Sequence, residues 1–181
     1  MPDGKTGRLV FTLPSAEEEQ HIREGLASYI PEKAVNQLLL ERQLVIGKGR
    51  RYEVFLLSPV LWHLYQQAQP QNPYFIGLFL GELKTGTLQP SLHVLHRLAD
   101  AVKPSVKVSA SSKGEQKFVY GHSLEAQEFT QEVTGADEAK QVLVVNQRGE
   151  GLGYGQIIKA LTGEQLLKNQ LDLGWYLRRG Q

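Results

Sequence analysis

The sequence predicts an α+β protein in two parts, with hairpins and capped helices before residue 104 and a small, mostly β barrel after it. Three observations carry that reading. Val142–Val145 is an unbroken β-branched and aliphatic run, the mark of a strand buried on both faces. A glycine-bearing turn follows at Asn146–Gly151, and a second strand opens at Leu152, so the pair reads as a hairpin. In the first half, capped helix starts alternate with strands. Ser15 and Glu18 fit the S-x-x-E capping box, and Ser58-Pro59 pairs an N-cap with proline at the first helical position.

Composition bounds the function classes. The chain has 181 residues, enough for one or two domains, and a hydrophobic content of 41%, enough to fill a core. It has no cysteine, which excludes disulfides, thiolate metal sites and cysteine catalysis. No apolar run reaches the ~20 residues that span a bilayer. The start, MPDGKTGRL, lacks a signal-peptide core. A soluble intracellular protein without membrane contact is expected. Net charge is +1, and nine basic and nine acidic residues follow Pro104. Neither half is a polycation, so any RNA site has to come from local clustering.

In chain order, residues 1–8 read as a flexible leader and Leu9–Leu13 as a short strand. The helix from Ser15 carries Glu17, Glu18 and Glu19 in its first turn and buries Ile22, Leu26 and Tyr29 until Pro31 breaks it. Leu38–Ile46 and Arg51–Leu57 flank Gly47-Lys48-Gly49 as a hairpin. Its tip holds Lys48, Arg50 and Arg51, the densest positive cluster of the first half; such a tip is more often a solvated turn than a phosphate contact. The helix from Pro59 presents Leu61, Leu64, Tyr65 and Ala68 as its apolar face. Tyr74–Leu80 reads as a strand interrupted by Gly77 and closed by Gly81, with a turn at Lys84-Thr85-Gly86. The helix opened by Ser91 turns Leu92, Leu95, Ala99 and Val102 inward. It also carries His93 and His96 at metal-pair spacing, but no third ligand is near, so packing or surface histidines are expected. Lys103-Pro104 stops that helix, which places the domains at 1–103 and 104–181.

In the second part Ser111–Gly114 reads as a turn and Lys117–Tyr120 as extended, with Phe118 and Tyr120 on one side. Ser123 caps a helix running to about Val133, and Thr134–Asp137 is loop. Thr162–Gln165 fits either a short helix or a strand. Leu171, Leu173, Trp175 and Leu177 alternate with Asp172, Tyr176 and Arg178, a half-buried last strand. Within the hairpin, Gly153, Gly155, Ile157 and Lys159 share one face. Those two glycines mark either a barrel bend or a bare shelf for a sugar–phosphate backbone, with Lys159 as its charge.

Several segments resemble known families. KFVYGHSLEAQEF, VLVV followed by GLGYGQIIK, and LDLGWYLRRG resemble a PUA domain, an RNA-binding module. LPSAEEE, YFIGLFLGELKTG and LHVLHRLADAV resemble the N-terminal domain of the Nip-seven ribosome-biogenesis factors, and the ending WYLRRG resembles archaeal members. The resemblance implies an N-terminal α/β domain with an antiparallel sheet plus helices, then a C-terminal PUA pseudo-barrel. It implies a non-catalytic factor in pre-rRNA processing and large-subunit assembly. The implied partners are uridine-rich RNA and other assembly proteins, with no cofactor and no metal. A monomer is expected, cytoplasmic, or nuclear and nucleolar in a eukaryotic source.

The candidate RNA-binding residues are Lys159, Lys168, Arg178, Arg179, Tyr154, Tyr176, Gly153 and Gly155. Lys159 falls where the family keeps a basic residue after G-[FY]-G, and Arg178 on the arginine ending the last strand. Lys168 is the only cation of the shortened interval ALTGEQLLKNQ, and Tyr154 and Tyr176 are candidate stacking platforms. Against catalysis, the glycines at 149, 151, 153 and 155 are followed by no GK[ST] and open no helix, and no carboxylate pair or Ser–His–Asp order stands out. The alternatives are a protein–protein adaptor with weak RNA affinity, which the shortened interval and neutral charge favour, and an RNA-modification enzyme subunit.

Overall fold

The computed structural model describes residues 10–68, 76–131, 141–159, 163–175 and 178. The chain forms two compact units, Met1–Val94 and Leu95–Gln181. The first is an antiparallel sheet with helices and the second a near-barrel sheet, so the predicted α+β class holds. The readings for residues 1–8, Thr134–Asp137, Tyr176, Leu177 and Arg179 lie outside the described residues.

The first unit is a meander. Strands β1 (Val10–Thr12), β2 (Gln43–Lys48), β3 (Tyr52–Leu57), β4 (Leu78–Lys84) and β5 (Thr87–Pro90) pair in that order, all antiparallel. Helix α1 (Ala16–Tyr29) begins at the predicted capping box: the Glu18 amide donates to Ser15 Oγ at 3.1 Å and the Ser15 amide to Glu18 Oε2 at 2.8 Å. Ile22, Leu26 and Tyr29 are its buried stripe. Gly25 lets α1 lie against β5, because a Cβ there would stand 2.6 Å from Leu88 Cβ. The β4–β5 turn has positive φ at both Thr85 (47°) and Gly86 (75°), the twist a two-residue hairpin loop needs.

Two readings of this unit are corrected. Leu38 and Leu39 are not strand: Pro31 caps a second helix, α2 (Glu32–Leu39), instead of only ending the first. Helix α3 (Pro59–Ala68) is rotated from its expected face. Leu61 and Leu64 are 37% and 52% exposed, while Trp62 and Tyr65 pack on the core of Phe11, Val45, Phe55, Leu57 and Ile76. Aromatic area decides this: Tyr65 meets Phe11 edge-on at 5.5 Å, and Trp62 stacks on Tyr65.

The second unit begins within α4 (Leu92–Arg97); Leu92 and Leu95 on that helix, and Ala99 and Val102 in and after the 3-10 turn Ala99–Ala101, are all buried as predicted. Its strands are β6 (Lys107–Ala110), β7 (Leu124–Glu125), β8 (Phe129–Gln131), β9 (Gln141–Val145), β10 (Gly151–Lys159) and β11 (Gln165–Asp172). They pair in the order β7-β11-β10-β9-β6-β8, with β6–β9 parallel and the rest antiparallel. The edge strands β7 and β8 are joined by one 3-10 turn, Ala126–Glu128, so the sheet curls nearly closed. Helix α5 (Ser112–Val119) plugs it with Phe118, amid Val108, Leu124, Phe129, Val142, Val144, Leu152, Ile157 and Leu167.

Three readings of this unit are corrected. Ser111–Gly114 is no turn but the N-cap and first turn of α5, with the Gly114 amide donating to Ser111 Oγ at 3.2 Å. Lys117–Val119 is helical rather than extended. Gly114 weakens the local helical signal, yet the fold requires it: a Cβ there would stand 2.2 Å from the Glu128 carbonyl oxygen. The stretch after Ser123 is β7, a 3-10 turn and β8 rather than a helix, since Leu124 and Phe129 enter the core only as strand residues. Among the described residues the last strand is β11, ending at Asp172, where the expected strand had only begun.

Candidate nucleic-acid interface

The glycines of β10 are a bend and not a shelf. The pairing register shifts between Gly151 and Gly153 and again between Tyr154 and Gly155, which breaks the simple alternation assumed from sequence. A Cβ at Gly153 would stand 2.1 Å from the Leu171 carbonyl oxygen, and one at Gly155 would stand 2.6 Å from Leu167 Cδ1. Both faces are occupied by the protein, so a sugar–phosphate backbone cannot lie there. Tyr154 is 3% exposed and offers no face for a base to stack on.

The candidate cations are not gathered into one patch. Lys159 pairs with Gln165 at one end of the β10–β11 ribbon, whereas Gly153 pairs with Asp172 at the other. Six residues of strand, about 20 Å, separate those ends. Lys168 pairs with Gln156 three residues along from Gln165, an odd step, so it points to the opposite side of the ribbon from Lys159. Both lysines are exposed.

Arg178 belongs to the Asp172 end and is held there. Asp172 is 2% exposed, not outward as the alternation predicted, and its Oδ2 accepts from Arg178 Nη2 at 2.7 Å. Arg178 Nη1 donates to the Val119 carbonyl, one of the last of α5. The bond to Asp172 raises the Arg178 pKa further above its ordinary value. Much of this charge therefore serves to fasten the C-terminal segment to α5.

That end of the unit also presents groups the sequence reading missed. Helix α5 closes in a Schellman arrangement: the His122 amide donates to Lys117 O at 3.0 Å and the Gly121 amide to Phe118 O at 2.9 Å, with Gly121 at φ 89°. Its cap residue Tyr120 is left 72% exposed, and His122 is exposed beside it. Gly121, between Tyr120 and His122 in the chain, lies against the Arg178 guanidinium. The Asn169 side-chain amide donates to the Phe118 carbonyl at 2.7 Å and ties β11 to the same corner. The available signal was Gly121 directly after an aromatic; it was hidden because Phe118 and Tyr120 also fit a strand period. Tyr176 and Arg179 lie outside the described residues.

Among the described residues no group of three or more His, Asp or Glu could hold a metal ion. His93 and His96 are exposed, and His96 Nδ1 hydrogen-bonds the Gly151 carbonyl oxygen at 3.1 Å. No described helix is long and apolar enough to cross a membrane.

The second unit is a near-closed sheet plugged by one helix, with a polar corner at the end of that helix. The comparisons identify its class. Residues 106–181 match the UPF0113 PUA domain, and residues 13–92 match the NIP7/UPF0113 pre-PUA domain. The chain belongs to the NIP7/UPF0113 family. A UPF0113 protein of Aeropyrum pernix is 33% identical over 171 residues, 92% of this chain and 91% of its own length. A hypothetical protein from Pyrococcus horikoshii OT3 shares the fold with a TM-score of 0.60 at 12% identity, covering 93% of this chain and 99% of its own. A conserved PUA domain protein from Thermoplasma acidophilum does so with a TM-score of 0.53 at 16% identity, covering 94% and 99%. The PUA domain suggests an RNA-binding role.

Proposed function

We propose that this protein is a non-catalytic RNA-binding factor of ribosome biogenesis, acting on pre-rRNA during large-subunit assembly alongside other assembly proteins. It acts as a cytoplasmic monomer and takes uridine-rich single strands. The observation that carries this reading is the exposed Tyr120 at the end of α5, next in the chain to the Gly121 that the Arg178 guanidinium lies against, within a PUA domain. An exposed aromatic ring at a corner that also holds a cation suits a single strand, because every base has a face to stack and every linkage a phosphate. Lys159 and Lys168 then serve as outlying phosphate contacts.

The test is binding of the full chain to a uridine-rich oligonucleotide across a salt series. Tyr120→Ala is expected to weaken binding about 5-fold or more, the loss of one stacked base. Lys159→Ala and Lys168→Ala are each expected to lower the slope of log K against log salt by about 0.7. Arg178→Ala is a poor probe, since it strands the buried Asp172 carboxylate and reports on folding as much as binding. A chain whose wild-type form shows no salt-dependent RNA binding overturns the reading. One observation favours an adaptor instead: the Arg178 charge is already engaged by Asp172. Association with assembly proteins that Tyr120→Ala leaves intact, in a chain without RNA affinity, would establish that alternative.

A further inference from the structure

The first unit carries its own arrangement of cations around an exposed ring. Where β2 turns into β3, Arg50 and Arg51 are exposed, and Tyr52, the first residue of β3, is 49% exposed. Lys84, at the end of β4, follows Leu83, the register partner of Tyr52, and lines the rim of the same groove. Together with Glu82 and Thr85 these residues line an open groove of about 440 Å³, within the range of about 300–1,000 Å³ that holds small ligands.

The charge in this groove is arranged rather than cancelled. Glu82 receives Arg51 at 2.9 Å and stands 3.6 Å from Lys84, so one carboxylate orients two cations and leaves the group positive. Arg50 makes no ion pair among the described residues. Glu53 lies across from Glu82 in the register and is the nearest further acid. Lys48, paired with Glu18 at 2.8 Å, sits 5.8 Å from the centre of the Tyr52 ring and steadies it while half of that residue stays exposed.

We propose that this groove is a second RNA contact, taking one nucleotide of a single strand with its base on Tyr52 and its phosphate on Arg50. An acidic protein segment would also meet the cations, but it has no use for an exposed aromatic face among them, whereas a base does. The proposal rests on the reading that the chain binds RNA, and adds to it a site in the unit that precedes the PUA domain.

The experiment uses the full chain and a uridine-rich oligonucleotide carrying 4-thiouridine, with crosslinked peptides mapped by mass spectrometry. Adducts are expected on the peptide holding Tyr52, separate from those on the peptide holding Tyr120. Tyr52→Ala should weaken binding about 5-fold or more, and Arg50→Ala should lower the salt slope by about 0.7. Arg50 is an exposed turn position and Tyr52 an exposed strand end, and unchanged melting of the variants checks that the fold persists. If wild type binds but adducts appear only at Tyr120 and both variants bind as wild type, the second contact is wrong and the PUA reading stands. If wild type does not bind RNA at all, both fall. If poly-glutamate binds wild type but not Arg50→Ala, while RNA binding is the same in both, the groove is an acidic-protein surface and the proposal is overturned.

Discussion

The first unit pairs each strand with the next in sequence, while the second threads its sheet as β7-β11-β10-β9-β6-β8. Its corner is tied by contacts between distant residues: Arg178 with Val119, 59 positions apart, and Asn169 with Phe118, 51 apart. A meander can lose one hairpin and keep its neighbours. A sheet whose edges meet through one 3-10 turn cannot, because every strand depends on closure around the same plug. The difference predicts that damage spreads further in the second unit than in the first.

Phe118→Ala is the largest test of that contrast. Its side chain is fully buried amid residues of six strands, so truncation should cost about 3–5 kcal/mol. Whole domains have about 5–15 kcal/mol to lose. The second unit should open at low denaturant while the first persists. Each unit has one tryptophan, Trp62 and Trp175, so fluorescence of single-tryptophan variants follows them separately. Equal shifts at both would break the comparison.

Acid sharpens it. Glu128 is buried in the turn that joins β7 to β8, and its carboxylate lies 2.6 Å from Lys117 and 3.6 Å from Lys113. The bond to Lys117 holds the Glu128 pKa below its ordinary 4.5, against the opposing effect of burial. This contribution is complete above pH 4.5 and is lost as pH falls through the lowered value. In the first unit the same loss at Glu18, lowered by its bond to Lys48, is opposed at Glu53. Burial, then the nearby Glu82, raises the Glu53 pKa, so protonation relieves a cost there. Between pH 5 and 3 the Trp175 transition should therefore move to lower denaturant more than the Trp62 transition. Glu128→Gln should flatten that dependence.

The same contrast explains what could be read from sequence. Where a local rule and the tertiary demand agreed, the reading held: the Ser15–Glu18 box, the Ser58 cap, the Thr85-Gly86 turn and the double-sided burial of Val142–Val145. Where closure overruled local preference, it failed. Gly114 looks like a turn residue until Glu128 is seen against it. Asp172 looks outward until the register shift at Tyr154/Gly155 and the Arg178 bond are seen to turn it inward. The sites divide likewise. Lys159 and Lys168 were legible as cations, but that they face opposite ways follows from pairing register alone. Tyr120 was hidden because the helix end that exposes it, marked only by Gly121, also fits a strand period.

The smallest expected effect falls on the element that sequence specified best. Ser15→Ala removes the acceptor of the Glu18 amide but leaves the Glu18 carboxylate on the Ser15 amide and on Lys48 at 2.8 Å. Losing an N-cap side chain costs about 1 kcal/mol, which in a domain of this size lowers the melting temperature by about 4–8 °C. Because α1 is anchored by Ile22 and Leu26 in the core, the helix should fray by a turn and not detach. The Trp62 transition should move by that amount and the Trp175 transition should stay where it is. A Trp175 shift of the same size would mean that the two units melt as one, and the contrast between local and closed construction would have no consequence for stability.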